Sequence, residues 1–148
     1  MGDRCYLEIT LHRADLDRFG QHLNTAPGEV WWDHLDEEED QPGIVTASVY
    51  EANYAWYDER CAAAKEGIDF HGWHAEGGEY GPYEFASFRG KHLEAEHNHD
   101  GNLVIAVDEN LKPITSMTHL RRYVRTRKRV KAAFAKAESD AGLGKVVA

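Results

Sequence analysis

The order in which two-residue and 3.6-residue periodicities follow one another constrains this chain more tightly than any single motif. Cys5, Leu7, Ile9 and Leu11 alternate with Tyr6, Glu8 and Thr10, the pattern of a half-buried strand. Leu16, Phe19 and Leu23 then recur at helical spacing over Ala14–Asn24, with Asp15 and Asp17 near the N-terminal end where the helix dipole favours acids. Glu29–His34 (EVWWDH) reads as a second strand and Ile44–Glu51 as a third, rich in β-branched and aromatic residues. Asn53 is placed to cap a helix running through Glu66, with Tyr54, Tyr57, Cys61 and Ala64 facing inward and Gly67 as its stop. Ile68–Ala75 is the next strand. The order β-α-β-β-α-β predicts an α+β fold, a ferredoxin-like sandwich. Element order of this kind speaks to architecture and not to activity.

The remaining sequence extends that unit with a β-meander and a long helix. Tyr83–Phe88 reads as a short strand. Lys91–Asp108 reads as a hairpin whose register follows from its apolar positions: a three-residue loop, His99-Asp100-Gly101 with Gly101 left-handed, sets Leu93, Ala95 and His97 against Leu103, Ile105 and Val107. His92, Glu94 and Glu96 then share the opposite face. Thr118 is the expected start of a final helix reaching about Glu138. Its apolar stripe comprises Leu120, Tyr123, Val124, Val130, Phe134 and Ala137, interrupted by Arg127. Residues 141–148 (AGLGKVVA) are expected to fray. With no repeat and no linker, residues 1–148 are expected to form one domain.

Composition narrows the setting. The net charge of −9 conceals a division: residues 1–118 carry eight Lys/Arg against 24 Asp/Glu, a balance of −16, whereas residues 119–148 carry nine against two, a balance of +7. The chain is an acidic body with a basic helix at 119–140. No apolar run approaches the ~20 residues that span a bilayer, so no membrane partner is expected. Two cysteines, Cys5 and Cys61, are too few for a disulfide framework and suit a reducing, cytoplasmic compartment.

Three sets of residues carry candidate chemistry. The acidic run Asp36, Glu37, Glu38, Glu39 and Asp40 reads as a solvated turn. With Glu76, Glu79, Tyr80 and Tyr83 of the Gly-rich segment Glu76–Tyr83, it offers carboxylates and aromatic area to a protein with a basic surface. Gly77, Gly78 and Gly81 are expected to free that segment for positive φ. The basic helix supplies Arg121, Arg122, Arg125, Lys128 and Arg129, whose arginines are expected to meet acids of the same chain or of a second copy before they meet nucleic acid, since the acidic body repels a polyanion. Finally, His71, His74, His92, Glu94 and Glu96 contain the donor types of a Zn or Mn site. His71 and His74 would point to opposite faces of one strand, which weakens chelation, so no cofactor is expected. The leading expectation is a non-enzymatic acidic protein that binds a basic partner, an inhibitor of a nucleic-acid-handling complex being one form of it. A metal-dependent or acid–base enzyme and a nucleic-acid-binding module are the alternatives.

Overall fold

The structure, a computed structural model, describes every residue except Met1, Pro27 and Ala148, and it describes the side chains of the last helix as far as Lys136. The described residues form six strands and three α-helices, with short 3-10 turns at Arg13–Asp15 and Tyr54–Trp56: β1 (Arg4–His12), α1 (Leu16–Gln21), β2 (His34–Glu37), β3 (Ile44–Asn53), α2 (Tyr57–Lys65), β4 (Phe70–His74), β5 (Tyr83–Phe88), β6 (Lys91–Glu96) and α3 (Met117–Val147). The strands make one antiparallel sheet in the order β2-β3-β1-β4-β5-β6. This is a mixed α+β architecture, with α1 and α2 on one face of the sheet and α3 on the other.

Alternation along β1 builds the two faces. Cys5, Leu7, Ile9 and Leu11 are buried beneath α1 and α2, in a core shared with Val45, Ala47, Phe70 and Phe85. Tyr6, Glu8, Thr10 and His12 look the other way, toward α3. Close packing across the first face depends on Gly72. A Cβ there would lie 2.0 Å from the Glu8 carbonyl oxygen and 2.8 Å from the Phe85 ring, so only glycine lets that ring cross the strand. α3 docks through Leu120, Tyr123, Val130 and Phe134 on Ile44, Ala86 and Ala95. Arg127, the break in its apolar stripe, reaches inward to pair with Glu84 of β5.

Several expectations are corrected. The second strand is His34–Glu37, not Glu29–His34. Trp31 and Trp32 instead pack over the end of the core, where Trp31 Nε1 donates to the Leu16 carbonyl at 2.9 Å and its ring meets Phe19 and Trp56. Asp36 and Glu37 therefore lie on an edge strand, and the turn begins only at Glu38. Asn53 makes no side-chain cap. Tyr54, Ala55 and Trp56 form a left-handed turn before α2, and α2 buries Arg60, Ala63 and Ala64 while Tyr54 and Tyr57 stay exposed.

In the meander, His97 bridges Leu103 and Gly101 is left-handed, as the three-residue loop requires. Residues 104–108 do not continue as a strand; Asp108 starts a second turn by accepting from the amides of Asn110 and Lys112 at 2.8 and 3.0 Å. Ser116, not Thr118, caps α3, its hydroxyl accepting from the His119 amide at 3.2 Å. The α3 backbone runs on to Val147, within the segment expected to fray. The position assigned to Ala137 in the stripe lies outside the described side chains.

Candidate functional site

The row of polar residues that β6 sends under α2 is the starting point. His92, Glu94 and Glu96 share a face, as the alternation predicts, and α2 covers its His92 and Glu94 end while Glu96 stays exposed. Polar groups buried there need partners, and α2 supplies one in Arg60, whose side chain is only 1% exposed. Its guanidinium lies 4.1 Å above the Phe85 ring centroid. From there Nε donates to the Ala55 carbonyl at 2.9 Å, Nη1 to His92 Nε2 at 2.8 Å and Nη2 to Glu94 at 3.3 Å. With Nε2 accepting, the His92 proton sits on Nδ1, which faces the Cys61 sulfur at 3.5 Å. Burial, reinforced by the Arg60 charge, pushes the His92 pKa down to about 3, so the ring is neutral.

The candidate metal donors do not converge in this arrangement. His92 and Glu94 face a cation that the chain itself provides. His71 lies on the other face of the sheet, tilted against Phe134 at 5.6 Å. His74 returns to the α2 face, flanked by Tyr80 and Tyr83 at 5.6 and 5.8 Å. Burial holds both of these histidines near pKa 4. Among the described residues, no group of three or more His, Cys, Asp or Glu side chains is arranged to hold a metal ion.

What the fold does assemble beside Arg60 is a pocket of about 460 Å³, lined by Tyr54, Tyr57, Tyr80, Tyr83, His74 and Glu94, with Asp58 and Glu59 at its α2 rim. One wall is the left-handed turn. Tyr54, Ala55 and Trp56 all have φ of 51–52°, a conformation that costs about 1–2 kcal/mol per non-glycine residue. It persists because Tyr54 N donates to the Asp3 carbonyl at 2.6 Å, Arg60 grips the Ala55 carbonyl, and Trp56 is packed among Phe19 and Trp31. The turn holds Tyr54 and Tyr57 half in water, at 50% and 47% exposure.

The other wall is the Glu76–Tyr83 segment. It is not shaped by left-handed glycines: Gly77, Gly78 and Gly81 all keep ordinary φ. Asp3 shapes it instead. Its carboxylate accepts from the amides of Gly78 and Glu79 at 2.7 and 2.8 Å, and its carbonyl accepts from the Tyr80 hydroxyl at 3.0 Å. Gly77 is required by crowding, since a Cβ would lie 2.4 Å from the Tyr80 ring. Burial and the Cys5 thiol beside it keep the Tyr80 phenol protonated. Burial together with Glu96 and Glu94 does the same for Tyr83.

The two halves of the expected partner surface lie apart. β1 is flanked by Asp3 at one end and Arg13 at the other, and the acidic run belongs to the Arg13 end. There Glu37 pairs with Arg13, Glu38 accepts from the Thr46 hydroxyl at 2.7 Å, and Asp36 faces His34 at 2.9 Å. Glu39 and Asp40 are exposed in the turn. Glu76, Glu79, Tyr80 and Tyr83 belong to the Asp3 end. The basic residues Arg121, Arg122, Arg125, Lys128 and Arg129 are all exposed, and the ion pair that α3 makes among the described residues belongs to Arg127 instead.

Sequence reasoning missed Arg60 and Asp3. A signal for Arg60 existed: His92 and Glu94 on one face of β6 demand a counter-group, and α2 carries only Arg60 and Lys65 as cations, Lys65 at its last turn. Nothing local marks Asp3, whose partners lie 75–77 residues away. Family models, curated proteins and solved structures were all compared with the chain, and none matches it.

Proposed function

We propose that this is a non-enzymatic interaction protein whose tyrosine-lined pocket receives a Lys or Arg side chain from a partner with a basic surface. One observation carries the reading: four tyrosines and the carboxylates of Glu94, Asp58 and Glu59 converge on one pocket. Tyrosine faces attract cations, and tyrosine supplies contact area at low entropic cost. The guanidinium of Arg60 is already matched by Glu94, which leaves the rim acids to the guest. The net charge of −9 favours encounter with a basic surface, and the acidic edge at β2 contributes to steering rather than to the bound contact. An inhibitor of a nucleic-acid-handling complex, acting in the cytoplasm, is the form of this activity that best suits an acidic protein with two free cysteines. The strand order β2-β3-β1-β4 with antiparallel neighbours supports a ferredoxin-like core carrying the site.

The test is titration calorimetry with an Arg/Lys-rich peptide, paired with stopped-flow kinetics. Replacing Tyr54 and Tyr57 by Ala should weaken binding by tenfold or more, mostly through faster dissociation. Reversing Glu37, Glu38 and Glu39 to Lys should slow association and flatten its salt dependence while leaving dissociation unchanged. Equal affinity of the tyrosine variant and the parent would remove the pocket from the reading.

A further inference from the structure

The tyrosine pocket permits a narrower statement about its guest, one that rests on the reading above. A wider groove of about 760 Å³ runs beside α3 on the other face, but its lining mixes Glu8, Glu76, Glu84 and Asp100 with Arg127 and Lys131 and so presents both signs of charge. The pocket instead sorts its groups by depth. Its floor is His74, Ala55 and Arg60, each 2% exposed or less. Its mouth carries Tyr54, Tyr57 and Asp58, all exposed, with Glu59 half-buried beside them. Between the two, the rings are inclined to one another. Tyr54 and Tyr80 have centroids 6.5 Å apart with planes at 41°, Tyr80 meets His74 at 80°, and Tyr83 follows His74 at 34°. Faces tilted in this way bound a rounded space, which suits a globular cation better than a flat ring.

Charge and hydrogen bonding narrow the choice of cation. The lining holds three carboxylates, Asp58, Glu59 and Glu94, against the one guanidinium of Arg60. Burial keeps the His74 ring neutral, near pKa 4, so it adds no positive charge. The polar groups near the floor are engaged: Arg60 donates to the Ala55 carbonyl and to Glu94, the Tyr80 hydroxyl donates to the Asp3 carbonyl, and His74 Nδ1 donates to the Ala75 carbonyl at 2.8 Å. A primary ammonium drawn in among the rings would bring three N–H donors out of water to acceptors already in use. A trimethylammonium carries the same charge, has no donor to satisfy, and buries its methyl groups against the ring faces. We propose that the guest is an N-trimethylated lysine of the partner, its quaternary ammonium held among Tyr54, Tyr80 and Tyr83 and its charge balanced by Asp58 and Glu59 at the mouth.

The experiment is titration calorimetry with one Arg/Lys-rich peptide whose central residue is lysine, trimethyl-lysine, or the uncharged isostere in which a tert-butyl group replaces the trimethylammonium. The trimethyl-lysine peptide should bind roughly tenfold tighter than either of the others. Tyr54→Ala should abolish that preference and Tyr54→Phe should retain it; Tyr54 stands half in water, so neither change burdens the core. Asp58→Asn with Glu59→Gln should weaken both charged peptides and narrow their lead over the isostere. Equal binding of the lysine and trimethyl-lysine peptides would overturn the inference and leave the basic-partner reading standing, whereas no binding of any of the three would overturn both. An isostere that binds as tightly as trimethyl-lysine would also overturn it, since the pocket would then select bulk and not charge. A preference that survives Tyr54→Ala would do the same by placing the guest elsewhere.

Discussion

The two faces of this sheet are made by the same strands, yet they are built on different chemistry. Under α1 and α2, the rows Val45–Leu11–Phe70 and Ala47–Ile9–Gly72–Phe85 make a dry core with one ion inside it, Arg60. Under α3, the rows Thr46–Thr10–His71 and Ser48–Glu8–Trp73–Glu84 are polar, and the helix closes over only part of them. On the dry face one cation gathers the buried polar groups: Arg60 donates to His92, Glu94 and the Ala55 carbonyl together. On the wet face polar groups satisfy one another in short chains, as where Thr10 meets the Thr46 hydroxyl at 2.7 Å and Thr46 donates on to Glu38. The dry face positions a pocket by rigidity. The wet face keeps a groove because nothing apolar closes it.

The contrast breaks most sharply at Arg60. Arg60→Met strands Glu94 and His92 beneath α2, and removal of one partner of a buried pair costs about 3–5 kcal/mol. Glu94 keeps 27% of its side chain accessible, which places the loss toward about 3 kcal/mol in urea unfolding. Adding Glu94→Leu should recover much of it. A single variant as stable as the parent would show that the ion contributes nothing to the dry face.

Acid tests both faces together. His71 and His74 are held near pKa 4 and His92 near 3, by burial in each case. Their pKa values are lowered on folding, so the unfolded chain binds more protons below about 6.5. Stability is therefore complete above that pH and falls as pH drops from 6.5 toward 4. Each histidine contributes at most about 3 kcal/mol to the fall. Unfolding free energies between pH 6.5 and 5, before the carboxylates titrate, should decline steeply; a flat profile there would mean the rings are accessible when protonated.

The mildest change sharpens the comparison. Gly72→Ala puts a methyl group between Phe85 and the Glu8 carbonyl, an overpacking worth about 1–3 kcal/mol. Because Phe85 supports Arg60, peptide binding at the tyrosine pocket should weaken in titration calorimetry; unchanged affinity would show that the Phe85 ring does not position Arg60.

Much of the fold was legible because it rests on alternation. β1 and β6 declare themselves by period two, Gly67 ends α2, and Gly101 sets the hairpin register that pairs His97 with Leu103. What misled was residue type read without its neighbours. The tryptophans of EVWWDH look like a strand, but they are large enough to cap the open end of a core from a loop. Tyr54 and Tyr57 look inward on a helical wheel, yet the left-handed turn rotates α2 so that Arg60 takes the buried position. Gly77, Gly78 and Gly81 suggest unusual φ, while the shape of the segment is dictated by a carboxylate at the far end of β1. Of the candidate site, Tyr80 and Tyr83 were legible as aromatics of the Gly-rich segment; the partners that turn them into a pocket were not, because their contacts span most of the chain.

That span has a kinetic consequence. Asp3 ties the left-handed turn and the Glu76–Tyr83 segment together, across separations of up to 77 residues. Contacts this distant in sequence form only after the intervening loop has been closed by other structure. β1 must therefore pair with β3 and β4 before Asp3 can reach the amides of Gly78 and Glu79. The tyrosine pocket is expected to close only after that pairing, and the amides of Gly78 and Glu79 to exchange with solvent faster than those of β1, which hydrogen exchange checks.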